Sequence, residues 1–179
     1  MASSEYLIMI IDEIFEEGEE YLRYAYPNPG AKLPKTMSNL LVTRSAIGSM
    51  RGVTERIAKQ EFKCAVLHDN KEASREVKLS SMVLAEGLLI ALLAPKATED
   101  WVLCCMVRNM VDALLFSFGN QTREGFKRML GKKARSLVFN KPSISKEAIL
   151  HFNPFFEAYS KAFLSGDFGS SSAEGGGYG

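Results

Sequence analysis

The chain has 179 residues, of which 46% are hydrophobic and 24% are charged, and its formal net charge is +1. These values are ordinary for one soluble globular domain, which at this length buries about two thirds of its unfolded surface. The near-neutral balance argues against a general nucleic-acid binder, because such proteins are usually strongly basic. We therefore expect a single domain over residues 1–165, a disordered Gly/Ser-rich tail over residues 166–179, and no nucleic-acid partner.

The cysteines and the apolar runs indicate the cellular compartment in which the protein is expected. Cys64 stands apart in the sequence, whereas Cys104 and Cys105 are adjacent and poorly placed to bridge each other. An odd number of cysteines without a disulfide framework indicates a reducing compartment. We expect no signal peptide, and no apolar segment of the ~18 to 20 residues that a membrane span needs. The sequence therefore predicts a cytoplasmic protein.

The first 26 residues admit two interpretations. Apolar residues recur there at helical spacing, which would give one amphipathic helix. The β-rich run 6–11, the charged centre with Gly18 and the aromatic run 21–26 instead favour two strands joined around residues 16–19. We expect this hairpin; a helix in its place would favour an all-helical adaptor.

A long helix is predicted over residues 34–59, with Thr36 as its N-cap. One stripe has the spacing of a core-facing surface and consists of Val42, Ala46, Met50, Val53 and Ile57. A second stripe lies about half a turn away and consists of Met37, Leu40, Leu41, Arg44, Ile47, Gly48 and Arg51. A helix on a single sheet needs only one such face, so the second stripe predicts a protein interface, unless other segments of this chain cover it.

Three more strands are predicted after this helix. Residues 62–68 form one of them, at an edge of the sheet. Residues 77–84 and 88–94 form an antiparallel pair that turns at Glu86-Gly87. The run 88–94 is apolar throughout and is bounded by Gly87 and Pro95, which fits a strand that is covered on both faces.

Three helices complete the predicted order. The first covers residues 101–118 and has an apolar stripe broad enough to pack on the sheet. The second begins after the N-cap Thr122 and extends to about residue 139. The last has an aromatic side and begins near Ser143 or Ser145, and we expect Pro154 to break or kink it.

The second of these helices is strongly basic. Its cations are Arg123, Lys127, Arg128, Lys132, Lys133 and Arg135. They form either a solvated face or a patch for acidic lipids or an acidic partner. The stretch 125–133 superficially resembles a phosphate-binding loop, but five residues separate its glycines and a lysine replaces the required Ser or Thr.

Nothing in the sequence forms a catalytic constellation. His68 and His151 are isolated, which predicts surface positions and no metal site, and we expect no cofactor. A small enzyme or ligand carrier remains an alternative, with a buried pocket lined by Trp101, Cys105, Phe116 and Phe152. Cys104 or Cys105 could be its nucleophile, but no base is visible, so a buried structural thiol is the favoured interpretation.

The predicted order of elements resembles a longin domain. Residues 18–28 resemble the second strand of longin-type exchange-factor subunits, which ends in a pair such as Tyr26-Pro27, and residues 47–52 resemble the helix that follows it. Residues 77–95 and 107–119 are similar to the corresponding part of Inturned. Over about residues 5–140 the chain thus resembles the family of Inturned, Fuzzy, the light-ear subunit of the Hermansky–Pudlak exchange complex and the calcium-caffeine-zinc-sensitivity protein.

This resemblance implies an α+β fold: a longin-like five-stranded antiparallel sheet with helices on both faces, plus an extra C-terminal helix. It implies pairing with another longin-domain protein, through the first helix and a neighbouring strand edge. The pair would form a platform for a small Rab-type GTPase and reshape its switch loops without covalent catalysis. A peripheral contact with endomembranes accords with that role. Family members usually carry two or three longin domains, or a PDZ domain, whereas this chain has room for one. A longin or roadblock-like subunit of a coat or tether, without exchange activity, is the alternative.

Overall fold

The computed structural model describes residues 6–12, 21–28, 54–55, 63–68, 76–131 and 144–164, and within these ranges the fold is α+β. The strands are β1 (Leu7–Asp12), β2 (Tyr21–Tyr26), β3 (Cys64–His68), β4 (Glu76–Ala85) and β5 (Leu88–Pro95). The helices are α1 (Asp100–Phe118), α2 (Arg123–Leu130) and α3 (Lys146–Tyr159), and a π-helical segment, Ser160–Leu164, follows α3.

The five strands form one antiparallel sheet in the order β2-β1-β5-β4-β3. The predicted N-terminal hairpin is confirmed, since β1 and β2 pair with each other, and the helical interpretation with its all-helical adaptor is wrong. β5 lies at the centre and is buried along its length except at Pro95, as its unbroken apolar run predicts. β3 is an edge strand, also as predicted.

One face of the sheet, called the helical face, packs against the described helices. Its core is one cluster in which alternate residues of β1 and β5, such as Ile10 and Ile90, meet buried side chains of all three helices. In α1 these buried side chains recur along a single stripe: Leu103, Val107, Met110, Val111 and Leu114. The helical face therefore contains the main core of the described part of the chain.

Helix α1 corrects the expectation that no segment could span a membrane. Its 19 residues pass that test by length and composition. The test alone is weak, because the core helix of a soluble protein passes it as well. Here the apolar stripe of α1 packs on the sheet, and its start is held by Lys78 Nζ, which donates to the Thr98 carbonyl at 2.8 Å and pairs with Asp100 Oδ1 at 2.7 Å.

Helix α2 is shorter than predicted, since it ends at Leu130 and not near residue 139. Gly131 has φ +71°, and a Cβ there would lie 2.8 Å from Ser145 Oγ, so only glycine fits without strain. Ser145 accepts from the Ala148 amide at 3.0 Å and donates to the Leu130 carbonyl. One hydroxyl thus closes α2 and caps α3.

The aromatic side of α3 packs on β2 and on the end of α1. Phe152 and Phe156 are fully buried, and each ring centroid lies 5.4 Å from that of Tyr24. Of the break or kink expected at Pro154, the break is wrong, because α3 runs through this residue. Pro154 is exposed and Leu150, four residues earlier, is 73% exposed, so this side of the helix is hydrated and water can satisfy the carbonyl that the proline leaves unpaired.

The buried phenols of this packing predict a loss of stability in alkali. Burial raises the pKa of Tyr159 to about 12, and burial together with the nearby Tyr26 raises the pKa of Tyr24 well above its usual range. Above pH 10 the unfolded chain loses these phenol protons while the folded chain keeps them, so the free energy of unfolding falls as pH rises towards 12. In urea titrations from pH 9 to 12, the doubly substituted Tyr24→Phe, Tyr159→Phe protein should show a shallower fall than the wild type; an equally steep fall would contradict this.

Candidate functional site

The predicted partner-binding stripe lies outside the described residues. All seven of its members fall within residues 37–51, and the core-facing stripe, which extends from Val42 to Ile57, also lies outside the described residues. The structure does describe the sheet on which that helix is predicted to pack. The candidate site is the face of this sheet that lies opposite the helical face.

This second face is apolar and buried. Its cluster consists of Met9, Ile11, Leu22, Ala25, Leu79, Leu89, Ala91 and Leu93, and each of these is at most 7% exposed. The residues alternate along β1 and β5 with those of the helical face, as the two-residue period of a strand requires. No described helix contributes a buried side chain to this cluster, and among the described residues outside the sheet only the partly buried Ile144 packs against it. The described helices therefore do not account for the burial of the second face.

The predicted basic patch is divided by the structure. Arg123 does not face solvent: its side chain is 12% exposed and its Nη2 lies 2.6 Å from Asp12 Oδ1. Lys127 is partly exposed and lies 3.6 Å from Glu124, and Arg128 is exposed. Lys132, Lys133 and Arg135 lie outside the described residues. Arg123 is thus removed from the patch because it is engaged in an internal ion pair.

Asp12 forms a buried ionic network that the sequence did not predict. Its side chain is 2% exposed and lies between Arg123 and Arg23, whose Nη1 is 3.4 Å from Asp12 Oδ2. Arg23 also donates to the Gly131 carbonyl at 2.7 Å, and Arg123 donates to the Glu86 carbonyl at 3.0 Å. The network therefore joins β1 and β2 to the β4–β5 turn and to both ends of α2.

A β-bulge gives Arg23 its place in this network. Ile10 pairs with Tyr24 and Ile11 pairs with Leu22, so Arg23 is the extra residue of β2. A bulge reorients the side chain of the residue it inserts.

A groove of about 780 Å³ lies between β3, β4 and α1. Its wall contains all three cysteines of the chain, together with Ser80, Asp100 and Trp101. Lys78 hydrogen-bonds to Asp100 and lowers the pKa of that carboxyl below its usual value. Burial, and then the hydrogen bond to Asp100, raise the pKa of the Cys64 thiol.

The buried pocket of the alternative enzyme is not formed. Trp101 is 70% exposed and Phe116 is 91% exposed, whereas Phe152 is fully buried in the core of the helical face. Cys105 is exposed and Cys104 is half-buried, so neither is a deeply buried structural thiol. His151 is exposed on α3, as predicted, and His68 ends the edge strand β3. Within the described ranges no three His, Cys, Asp or Glu side chains are placed to hold a metal ion.

Comparison with known proteins gave no match: no family model matches the sequence, and the search of curated proteins gave no significant match. The function is therefore inferred from the fold and from the two faces of its sheet.

Proposed function

We propose that this chain is a longin-like interaction subunit that pairs with another longin-domain protein. The pair would form a platform for a small Rab-type GTPase and promote nucleotide exchange, or bind the GTPase as an effector, in membrane trafficking. The chain supplies binding surfaces in this proposal and no covalent chemistry. It would act in the cytoplasm, with a peripheral contact on endomembranes.

The order of the described elements supports this proposal. Two strands come first, three strands follow after a long interval, and three helices complete the described chain. The longin resemblance implies the same order, with its first helix in the interval between β2 and β3. Residues 34–59 fall within that interval.

The buried second face of the sheet is the observation that carries the proposal. Its cluster is no more than 7% exposed, although the described helices pack on the opposite face. A helix over residues 34–59 would be about 39 Å long at 1.5 Å per residue, enough to cross five strands spaced about 4.8 Å apart. We therefore place this helix on the second face, which completes a sheet with helices on both sides.

This placement assigns a role to each stripe of the helix. The stripe of Val42, Ala46, Met50, Val53 and Ile57 would pack on the buried cluster around Met9 and Leu89. The opposite stripe would then face away from the sheet. An outward apolar surface that contains Gly48, and has Arg44 and Arg51 among its members, suits a partner that approaches closely.

The basic residues supply the membrane contact in this proposal. Lys127 and Arg128 would act together with Lys132, Lys133 and Arg135, and each cation near an anionic membrane surface contributes about 1 kcal/mol of attraction. Arg123 is excluded, because Asp12 and the Glu86 carbonyl already bind its guanidinium.

Single charges placed on the two stripes test the proposal. Leu40→Asp and Ile47→Asp should abolish binding to a purified longin-domain partner, identified from a panel, and leave the unfolding transition of the free chain unchanged. Val42→Asp is the matched control, because an aspartate against the buried cluster should unfold the chain. Binding is measured by calorimetry, and exchange by release of fluorescent GDP from a panel of Rab-type GTPases.

Each result separates one proposal from its rivals. Unchanged partner binding by Leu40→Asp and Ile47→Asp, or unfolding of these variants, would contradict the outward stripe. The chain could also bind its partner while the pair neither releases GDP from any GTPase nor binds the GTP-loaded form. That result would contradict the proposed GTPase platform and favour a coat or tether subunit.

A further inference from the structure

The groove beside β3 brings together thiols that are far apart in the sequence. Cys64 belongs to the edge strand β3 and Cys104 to the helix α1, and both line this groove and are half-buried. Neither is among the seven residues of the proposed partner-binding stripe. Their juxtaposition is a product of the fold.

The strand register fixes the side on which Cys64 lies. Cys64 is the register partner of Ser80 on β4. Directly opposite residues of an antiparallel pair project on the same face of the sheet. Ser80 Oγ lies 3.9 Å from Cys104 Sγ, so that face is the one covered by α1. Cys64 accordingly packs against the core of the helical face.

A backbone contact limits the distance between the two cysteines. Cys104 Sγ donates to the Lys63 carbonyl oxygen at 3.6 Å. That oxygen is within about 3 Å of the Cys64 Cα across a trans peptide, which places Cys104 Sγ within about 7 Å of the Cys64 Cα. Adding the roughly 2.8 Å from Sγ to its own Cα places the two Cα atoms within about 10 Å of each other, a bound that includes the roughly 4.4 to 6.8 Å of bridged cysteines.

The neighbouring Cys105 does not share this position. It is the next residue of α1, so its side chain is turned by about 100° from that of Cys104, and it is exposed. Of the two neighbouring cysteines, Cys104 is the one that contacts Lys63 and Ser80. Cys105 therefore provides a control for the pair.

We propose that Cys64 and Cys104 form a reversible disulfide in the presence of an oxidised low-molecular-weight thiol such as glutathione disulfide, tying the edge strand β3 to helix α1. This inference is independent of the proposed longin pairing. It requires only the described groove and an oxidant small enough to enter it.

The bond would form in two exchange steps. The Cys104 thiolate attacks one sulfur of glutathione disulfide; a mixed disulfide forms, and one glutathione thiolate leaves and takes up a proton from water. Cys64 then gives up its proton to water and attacks the Cys104 sulfur as a thiolate. The second glutathione leaves as a thiolate and takes up a proton from water. Overall, two thiols are oxidised and one glutathione disulfide is reduced to two glutathiones.

The finished bond would close a loop from residue 64 to residue 104, which restricts the unfolded chain. It would also hold an edge strand that otherwise has a neighbour in the sheet on only one side.

Peptide mapping of the full chain tests the pair. The protein is equilibrated with a glutathione redox buffer at low concentration, alkylated, weighed intact and digested with trypsin. After the mass of the added alkyl groups is subtracted, the monomer should be about 2 Da lighter than the reduced protein. This difference equals the two hydrogens lost when one disulfide forms. The digest should contain peptides 64–71 and 97–108 joined by a disulfide.

Serine variants identify the sulfur within peptide 97–108, which contains both Cys104 and Cys105. Cys105→Ser should retain the joined peptides, and Cys64→Ser and Cys104→Ser should lose them. Absence of joined peptides from the wild type, a bridge that persists in Cys104→Ser, or a bridge between two molecules would each overturn the proposal. The wild-type and Cys105→Ser results decide the question even if another variant fails to fold.

Discussion

Replacing Asp12 with alanine is expected to lower the free energy of unfolding by about 3 kcal/mol, because removing one partner of a buried ion pair leaves the other charge uncompensated. Asp12 is 2% exposed and lies between the guanidinium groups of Arg23 and Arg123, whose side chains are 11% and 12% exposed. The substitution would leave two poorly hydrated cations facing each other. Urea denaturation followed by far-ultraviolet circular dichroism measures the loss.

Two further variants make this prediction specific to the network. Asp112→Ala removes a carboxylate from the exposed side of α1 and should change stability by less than about 0.5 kcal/mol. Asp12→Asn keeps the shape of the side chain and removes its charge, so it should lie between Asp12→Ala and the wild type. A loss for Asp12→Ala as small as that for Asp112→Ala would contradict the network.

Replacing Phe156 with alanine is expected to cost about 4 kcal/mol, because the change removes a fully buried ring and leaves a cavity. The ring stacks on Tyr24 at 5.4 Å and meets Phe155 edge to face at 5.1 Å. It therefore joins α3 to the edge strand β2. The same urea titration measures the change.

Leu150→Ala is the matched control on the same helix. Leu150 is 73% exposed and lies on the opposite side of α3 from Phe156, so its truncation should cost less than about 0.5 kcal/mol. If both substitutions cost the same, α3 would not be docked through its aromatic side. The aromatic contacts of Tyr24 would then be incidental to stability.

The strands were predictable because their patterns are local. The run 88–94 is apolar at every position, which only a strand covered on both faces explains at this length. The aromatic run 21–26 and the apolar run 6–11 had the composition of paired strands. The residues of α1 that pack on the sheet were also predicted, because they recur at helical spacing.

The ionic network was not predictable from these patterns. Asp12 and Arg23 are 11 positions apart and Arg123 is a further 100 away, so only the folded sheet brings them together. One local signal was present: Asp12 ends an apolar run and Arg23 interrupts an aromatic one. A charged side chain that is fully buried is almost always paired.

Two other differences between the predicted and the observed structure could have been anticipated from helical geometry. Gly131 directly follows Leu130 and is a typical helix terminator, so the end of α2 was visible in the sequence. Trp101 and Phe116 lie opposite Leu103 and Met110 on a helical wheel, which places them on the exposed side of α1. Their size and apolarity had suggested burial, which the wheel contradicts.

The central claim is that residues 34–59 cover the second face of the sheet with the Val42 stripe and leave the opposite stripe free. Photo-methionine, incorporated in place of methionine, tests it through Met9, which is 2% exposed within the buried cluster of that face. Met110, buried against the helical face, is the internal control and should cross-link to the sheet or to α3.

Mapping of the cross-links formed by Met9 is the decisive measurement. If the helix lies on the second face as proposed, Met9 should form links to the stripe that contains Val42, Ala46 and Met50, and none to Leu40 or Ile47. Links from Met9 to the Leu40 and Ile47 side, or to a segment outside residues 34–59 with none inside it, would contradict this placement.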